Sequence, residues 1–178
     1  MSVLDLIYAP SSIRVLHQYF SSDEKIPNSP LPAILYFNTL PFPAAHEPEV
    51  WEKLFTENGW APAWRGGIYS YDHYHSTAHE VLGIFQGRAQ VRLGGKHGLN
   101  IELAAGDAVI IPAGVGHRNL QSTSDFAAVG AYPQGQTWDI CLGKAGERAA
   151  AERALEKVPL PALDPLYGEN GHLPLLWR

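Results

Sequence analysis

Charge is scarce in this chain. Asp, Glu, Lys and Arg make up 17% of its 178 residues, and the formal net charge is -5 at pH 7. No basic stripe stands out, so the electrostatic footprint of a nucleic-acid binder is missing. A mildly acidic chain also has no reason to settle on anionic lipid. Cysteine is nearly absent. Cys141 stands alone, so no internal disulfide can form, and the fold does not rely on oxidising surroundings. Long apolar runs are missing too; stretches such as AVIIPAGV are far too short to span a bilayer. The opening MSVLDLIYAPSSIRVL has no basic segment ahead of an apolar one, so it does not read as a secretory leader. The expectation is a soluble cytoplasmic protein whose partners include neither nucleic acid nor membrane.

What the chain does have is a dry, globular composition, 46% apolar and 11% aromatic. Its length suits one domain spanning residues 1–178. Its 17 glycines and 14 prolines cut it into short segments rich in Val, Ile, Leu and Tyr. Between Gly66 and Pro133 seven such segments follow one another: GGIYSYDHYH, EVLGIFQG, RAQVRLGG, LNIELAAG, DAVIIPAG, HRNLQS and FAAVGAYP. Short strands at this density predict an all-β closed or double-sheet architecture.

Two helices are predicted outside that region. In HEPEVWEKLFTENGW, Val50, Trp51, Leu54 and Phe55 form one apolar face, Pro48 sits in the first turn, and Asn58-Gly59 supplies a left-handed stop. KAGERAAAERALEKVP is rich in helix formers and halts at Pro159. The closing PLPALDPLYGENGHLPLLWR is proline-rich and is expected to wrap the domain in extended form.

The chemistry concentrates in GIYSYDHYHSTAHEVLGIFQG, Gly67 to Gly87. Residues two apart in an extended segment share a face. His73 and His75 therefore point together, and Tyr69 and Tyr71 would join them if no bulge intervenes. A short turn lets Glu80 return from the next strand. His117, after the Pro112-Ala113-Gly114 turn, can be aimed back at the first pair. Three imidazoles and one carboxylate suit Fe(II), Mn(II), Ni(II) or Cu(II), and are less distinctive for Zn(II). Four protein ligands on an octahedral ion leave two positions for a small molecule, or for substrate and dioxygen. Around zinc the same four would close a tetrahedron.

The spacing is specific. Gly67, five residues, His73-x-His75, four residues, Glu80, six residues, Gly87 resembles the first motif of the cupin superfamily. Gly106, five residues, Pro112-x-Gly114, two residues, His117 resembles the second, with only residues 88–105 between them. One departure is Gln121, where the second motif usually carries asparagine; the nearest asparagine is Asn119. ENGW, GAYPQGQTWDIC and VPLPALDPLYGENG extend the resemblance over nearly the whole chain, to the YjlB-like branch of the cupins.

The resemblance implies a single cupin barrel, a double-stranded β-helix or jelly roll. Its core would run from about residue 64 to 134, with an N-terminal extension over 1–63 and a C-terminal helix and tail over 135–178. It also implies a homodimer, and one divalent metal ion held by His73, His75, Glu80 and His117. Cupins allow three or four residues before the acid, so His79 competes with Glu80. Glu80 is preferred, because its gap to Gly87 fits and it shares a face with Leu82 and Ile84.

The expected function is metal-dependent chemistry on a small oxygenated metabolite. Fe(II) and dioxygenation are favoured over Mn, Ni or Zn with isomerisation or epimerisation, and over a non-catalytic binding barrel. Tyr69, Tyr71 and His79 are candidate acid or orienting groups beside the ion. The other histidines, His17, His46, His97 and His172, read as surface or loop residues, and Cys141 as an inert buried thiol. Trp60 and Trp64 read as core, with the pocket entrance as the alternative. Arg65 is either a fork for a substrate carboxylate or half of a surface ion pair. GGKHGLN reads as a hairpin turn.

Overall fold

The computed structural model describes Val3 and residues 6–178. Nine strands lie among the described residues, in two antiparallel sheets. The larger sheet has the order β1 (Arg14–Gln18), β2 (Ala33–Phe37), β7 (Ala108–Ile111), β4 (Glu80–Gln86), β9 (Ala127–Pro133), β3 (Trp60–Gly66). The smaller has the order β6 (Leu99–Ala104), β5 (Arg88–Leu93), β8 (His117–Ser122). Six of the seven segments expected to be strands are strands. The seventh, GGIYSYDHYH, is not regular. β3 ends at Gly66, the chain loops, and only His73 and Tyr74 pair again, as single bridges to His117 and Cys141.

The two sheets face each other across an apolar filling. Leu35, Leu82, Ile84, Val109 and Ile111 of the larger sheet meet Ala89, Val91, Leu93 and Leu103 of the smaller. In the smaller sheet β5 alternates buried with more exposed residues, as a strand with one wet face should. The central strands of the larger sheet are buried on both faces, and β2 and β7 are buried at every position. Its outer face is covered by α1 (Pro48–Glu57), through Trp51, Leu54 and Phe55, and by the C-terminal segment, through Leu166, Leu173 and Trp177. At Gly83 on β4 an added Cβ would stand 2.2 Å from the Trp51 ring, so only glycine lets the helix lie this close.

Two expectations are corrected by this packing. The N-terminal segment is no mere extension. β2 pairs with β7, and β1 pairs with β2, so the barrel wall begins well before residue 64. An all-apolar AILYF has no alternation to announce it, because both of its faces are covered. The C-terminal segment does not simply wrap the surface in extended form. Asp164, fully buried, accepts the Tyr36 hydroxyl at 2.6 Å and the backbone N–H groups of Leu166, Tyr167 and Leu173. That anchor docks the tail into the core, where it ends in a short helix, α3 (Leu173–Leu176).

The second predicted helix is α2 (Arg148–Leu155), starting later than its composition suggests. Glu147 explains the delay: its carboxylate accepts the backbone N–H groups of Leu142 and Lys144, holding the preceding residues in a turn. GGKHGLN is the β5–β6 hairpin connection, as expected. No helix among the described residues is long and apolar enough to cross a membrane.

Candidate metal centre

His73 enters the barrel through its bridge to His117. Each backbone N–H donates to the other's carbonyl, at 3.2 and 2.9 Å. Tyr74 is bridged on the opposite edge by Cys141, and its ring packs outward with Ile26, Cys141 and Ala151. The alternation then turns His73 and His75 inward. His117 is the first residue of β8 and Glu80 the first of β4. The four side chains thus come from three separate segments. They are 2–5% exposed. One ligand nitrogen from each of His73, His75 and His117 lies within 4.8 Å of the others. Glu80 Oε2 stands 3.3 Å from His75 Nε2 and 3.1 Å from His117 Nε2.

The three rings share one arrangement. His73 Nδ1 donates to the Tyr71 carbonyl at 3.1 Å, His117 Nδ1 to the Val115 carbonyl at 3.1 Å, and His75 Nδ1 to the Asp139 carbonyl. A carbonyl oxygen only accepts, so each Nδ1 carries a proton, and in the neutral ring Nε2 is left as the free lone pair. Outer hydrogen bonds of this type orient metal-binding histidines. Glu80 Oε1 accepts the Tyr132 hydroxyl at 3.0 Å, while its buried Oε2 accepts no well-formed hydrogen bond.

Electrostatics agree with the geometry. Burial is the largest influence on Glu80 and pushes its carboxyl up, but His75 and His117 outweigh it, and the group sits well below the usual carboxylate range. Burial pulls His75 down, and Glu80 beside it more than offsets this, so the net direction is up. Burial, helped by His117, drops His73 to about 3, so its ring is neutral. Glu80 and His75 thus draw positive charge between them, which a proton on a ring nitrogen or a metal ion in its place supplies. The donor set, three nitrogens and one oxygen, fits a divalent metal ion.

The cluster forms the floor of a cavity of about 310 Å³. Its walls are mainly apolar and include Trp64, Ile68, Leu82, Trp138 and Ile140. Trp64 lies flat over Gly130, where a Cβ would come within 2.2 Å of its ring. Trp60 is fully buried core, so the two tryptophans divide the two roles considered for them.

Tyr69 lines the cavity and meets His73 edge-on at 5.1 Å between ring centroids. Tyr71 stacks on Tyr69, outside the cavity lining, and contributes its carbonyl to His73. His79 lies on the other side of the sheet from the cavity. Its ring packs on Trp177, and its Nδ1 accepts the Ala113 N–H at 2.9 Å. That puts its proton on Nε2, the opposite tautomer to the other three, and burial drops it to about 4. The expectation that His79 could act beside the ion therefore has no geometric support, because the sheet separates it from the cavity.

Arg65 is held by helix α1, its Nε on Glu52 at 2.6 Å and its Nη2 on Glu49 at 2.9 Å, so the ion-pair reading describes it. His46 and His97 are exposed, and His17 meets His172 near the surface with 2.8 Å between Nε2 and Nδ1.

Three residues at the site were not singled out from the sequence. Tyr132 holds Glu80. Asp139 holds His75 through its carbonyl and accepts both the N–H and the hydroxyl of Ser76 through its carboxylate, at 2.6 and 2.5 Å. Trp138 stacks on Tyr132 and stands edge-on to His75. All three fall in GAYPQGQTWDIC, a stretch that carried a resemblance but no spacing signal.

Known proteins agree with this architecture. Residues 64–129 match the family model described as Cupin domain. A protein of Bacillus subtilis (strain 168), described as "Uncharacterized protein YjlB", is 40% identical over 160 residues, covering 89% of this chain and 94% of its own. Among solved structures, acireductone dioxygenase from Bacillus anthracis, with a cadmium ion in its active centre, is 17% identical with a TM-score of 0.41, over 70% of this chain and 82% of that one. Procruciferin, an 11S globulin from Brassica napus, is 14% identical with a TM-score of 0.36, over 75% of this chain and 28% of that one. Neither score bears on activity. The match over residues 64–129 and the 40% identity along nearly the full length place this chain in the cupin superfamily, in the branch that includes the Bacillus subtilis protein.

Proposed function

We propose that the protein is a metal-dependent enzyme acting on a small oxygenated molecule, with dioxygenation at Fe(II) as the favoured reaction. One observation carries this reading. Three histidines, each fixed by an Nδ1 hydrogen bond to a backbone carbonyl, aim bare Nε2 atoms at an ionised Glu80 on the floor of a cavity. His73, His75, His117 and Glu80 would hold the ion. A bound divalent metal supplies a Lewis acid and, as iron, a redox centre for dioxygen.

The chain's own groups do the rest. Trp64, Leu82, Trp138 and Ile140 shape a mainly apolar space for substrate above the floor. Tyr132 keeps its proton on the phenol oxygen, because burial first and Glu80 second push it far above the ordinary range. Its hydroxyl holds Glu80 in one orientation. Tyr69, at the mouth, is placed to contact whatever enters.

The test begins with metal analysis of untagged protein purified without oxygen, beside His73→Ala and His117→Ala. About one ion per chain in the native protein, lost in both folded variants, supports the site. A native protein that takes up no divalent ion even in excess overturns the reading. Oxygen uptake with a panel of small chelating substrates then tests dioxygenation. Isomerisation or epimerisation is the second reading, favoured by Tyr132, a phenol that retains its proton beside the site. Substrate conversion without oxygen uptake selects it. Saturable binding without conversion selects a binding barrel.

A further inference from the structure

The cavity's surroundings constrain what it can accept. Apart from its histidines, Arg65 is the only basic residue lining it among the described residues. That guanidinium already makes three hydrogen bonds to Glu49 and Glu52, at 2.6 to 3.0 Å. The rim there is one cation between two carboxylates, so it is net negative. On the floor, three neutral imidazoles and Glu80 around a divalent ion leave one positive charge. The walls above that floor are mainly apolar or aromatic: Trp64, Ile68 and Leu82 on one part, Trp138 and Ile140 on another, with Tyr132 stacked on Trp138 at 5.9 Å. A dry cavity of roughly 150 Å³ is enough for benzene. At about 310 Å³ this one has room for a substituted ring or its aliphatic equivalent.

We infer that the substrate is a compact molecule with a singly anionic, two-oxygen chelating head and an uncharged apolar tail, and that phosphorylated or polycarboxylate metabolites are excluded. This rests on the metal-site reading above. A singly anionic head balances the one positive charge on the floor. A second anionic group would lie against apolar walls, or beside an Arg65 already paired with Glu49 and Glu52. An uncharged tail instead gains from leaving water for Trp64, Trp138 and Ile140.

The test uses the full chain loaded with Co(II), which gives a visible spectrum without oxygen chemistry. Four probes share one chelating head: catechol, methylcatechol, tert-butylcatechol and protocatechuate, the last carrying an added carboxylate. Affinity is read from the Co(II) spectrum and from quenching of tryptophan fluorescence. Each added methyl group is expected to tighten binding roughly threefold, and the carboxylate to weaken it roughly tenfold or more. Trp138→Ala, and Ile140→Ala on the same part of the wall, are expected to load Co(II) and to lose most of the gain from the alkyl groups. Protocatechuate binding as tightly as methylcatechol overturns the inference and leaves the metal site standing. Failure of the native chain to load Co(II) overturns the metal reading, and this inference with it.

Discussion

The Tyr132 hydroxyl donates to Glu80 Oε1 at 3.0 Å, and that bond leaves the other carboxylate oxygen facing His75 and His117. The two residues come from neighbouring strands, β9 and β4, but lie 52 positions apart in sequence. The phenol acts as a stop that prevents the carboxylate from turning away. Tyr132→Phe is expected to weaken metal binding about ten- to hundredfold, the usual cost of losing an outer partner of a metal ligand. Metal titration checks this. An unchanged affinity shows that packing alone orients Glu80.

Glu80 and His79 are adjacent and point to opposite sides of the larger sheet. Glu80→Ala is expected to lose the metal while keeping the fold. His79→Ala is expected to keep one ion per chain and to lose about 2–4 kcal/mol of stability, since it empties a packed site against Trp177 and orphans the Ala113 N–H. Metal analysis and denaturant melts of the two variants separate the roles. Loss of metal in His79→Ala alone reverses them.

Metal removal has its own signature. A bound ion would stabilise only the folded chain, because the unfolded chain cannot gather residues 73, 75, 80 and 117. Adding metal to stripped protein is expected to raise the melting temperature, by the equivalent of about 4 kcal/mol at a thousandfold excess over Kd. Calorimetry with and without chelator reads this directly, and the shift is expected to vanish in His117→Ala.

Asp139 ties the 137–141 segment to the metal-binding stretch. Asp139→Ala removes both acceptors for Ser76 and is expected to cost about 1–3 kcal/mol. It is also expected to weaken metal binding, since the carbonyl that orients His75 belongs to the same residue. Equal stability and equal metal affinity in the variant would show that the Tyr74–Cys141 bridge holds the segment unaided.

Cys141 is 7% exposed, and burial pushes its thiol up to about 11. At about pH 8 it is protonated and enclosed, so a thiol-reactive disulfide reagent is expected to label it only when the chain unfolds. Labelling of the native protein at the rate of a free cysteine contradicts this placement.

The two-residue period of extended chain put His73 and His75 on one face, and the same period put Glu80 with Leu82 and Ile84. Both relations are local, so they survive in the order of residues, and the strands β4 to β9 were legible for the same reason. β2 was not, because burial on both faces erases alternation. The loop before His73 was not legible either. The tyrosine, histidine and aspartate pattern there looks like a strand, yet only the single bridges at His73 and Tyr74 found partners. The separation of His79 from the cavity was half visible, as a face, but what covers that face is the tail, nearly a hundred residues away in Trp177.

The sequence by itself determined which side chains could bind a metal and their spacing, because these depend on residue type and on chain geometry over a few residues. Only the tertiary structure decided the tautomers, the orientation of Glu80 and the character of the cavity. The histidine rings are set by the carbonyls of Tyr71, Val115 and Asp139, and a backbone carbonyl leaves no mark on residue type. Tyr132, Trp138 and Arg65 take their places from contacts across strands and helices. Until the sheets close there is no buried floor, and until there is a buried floor the four candidate ligands are only polar groups in water.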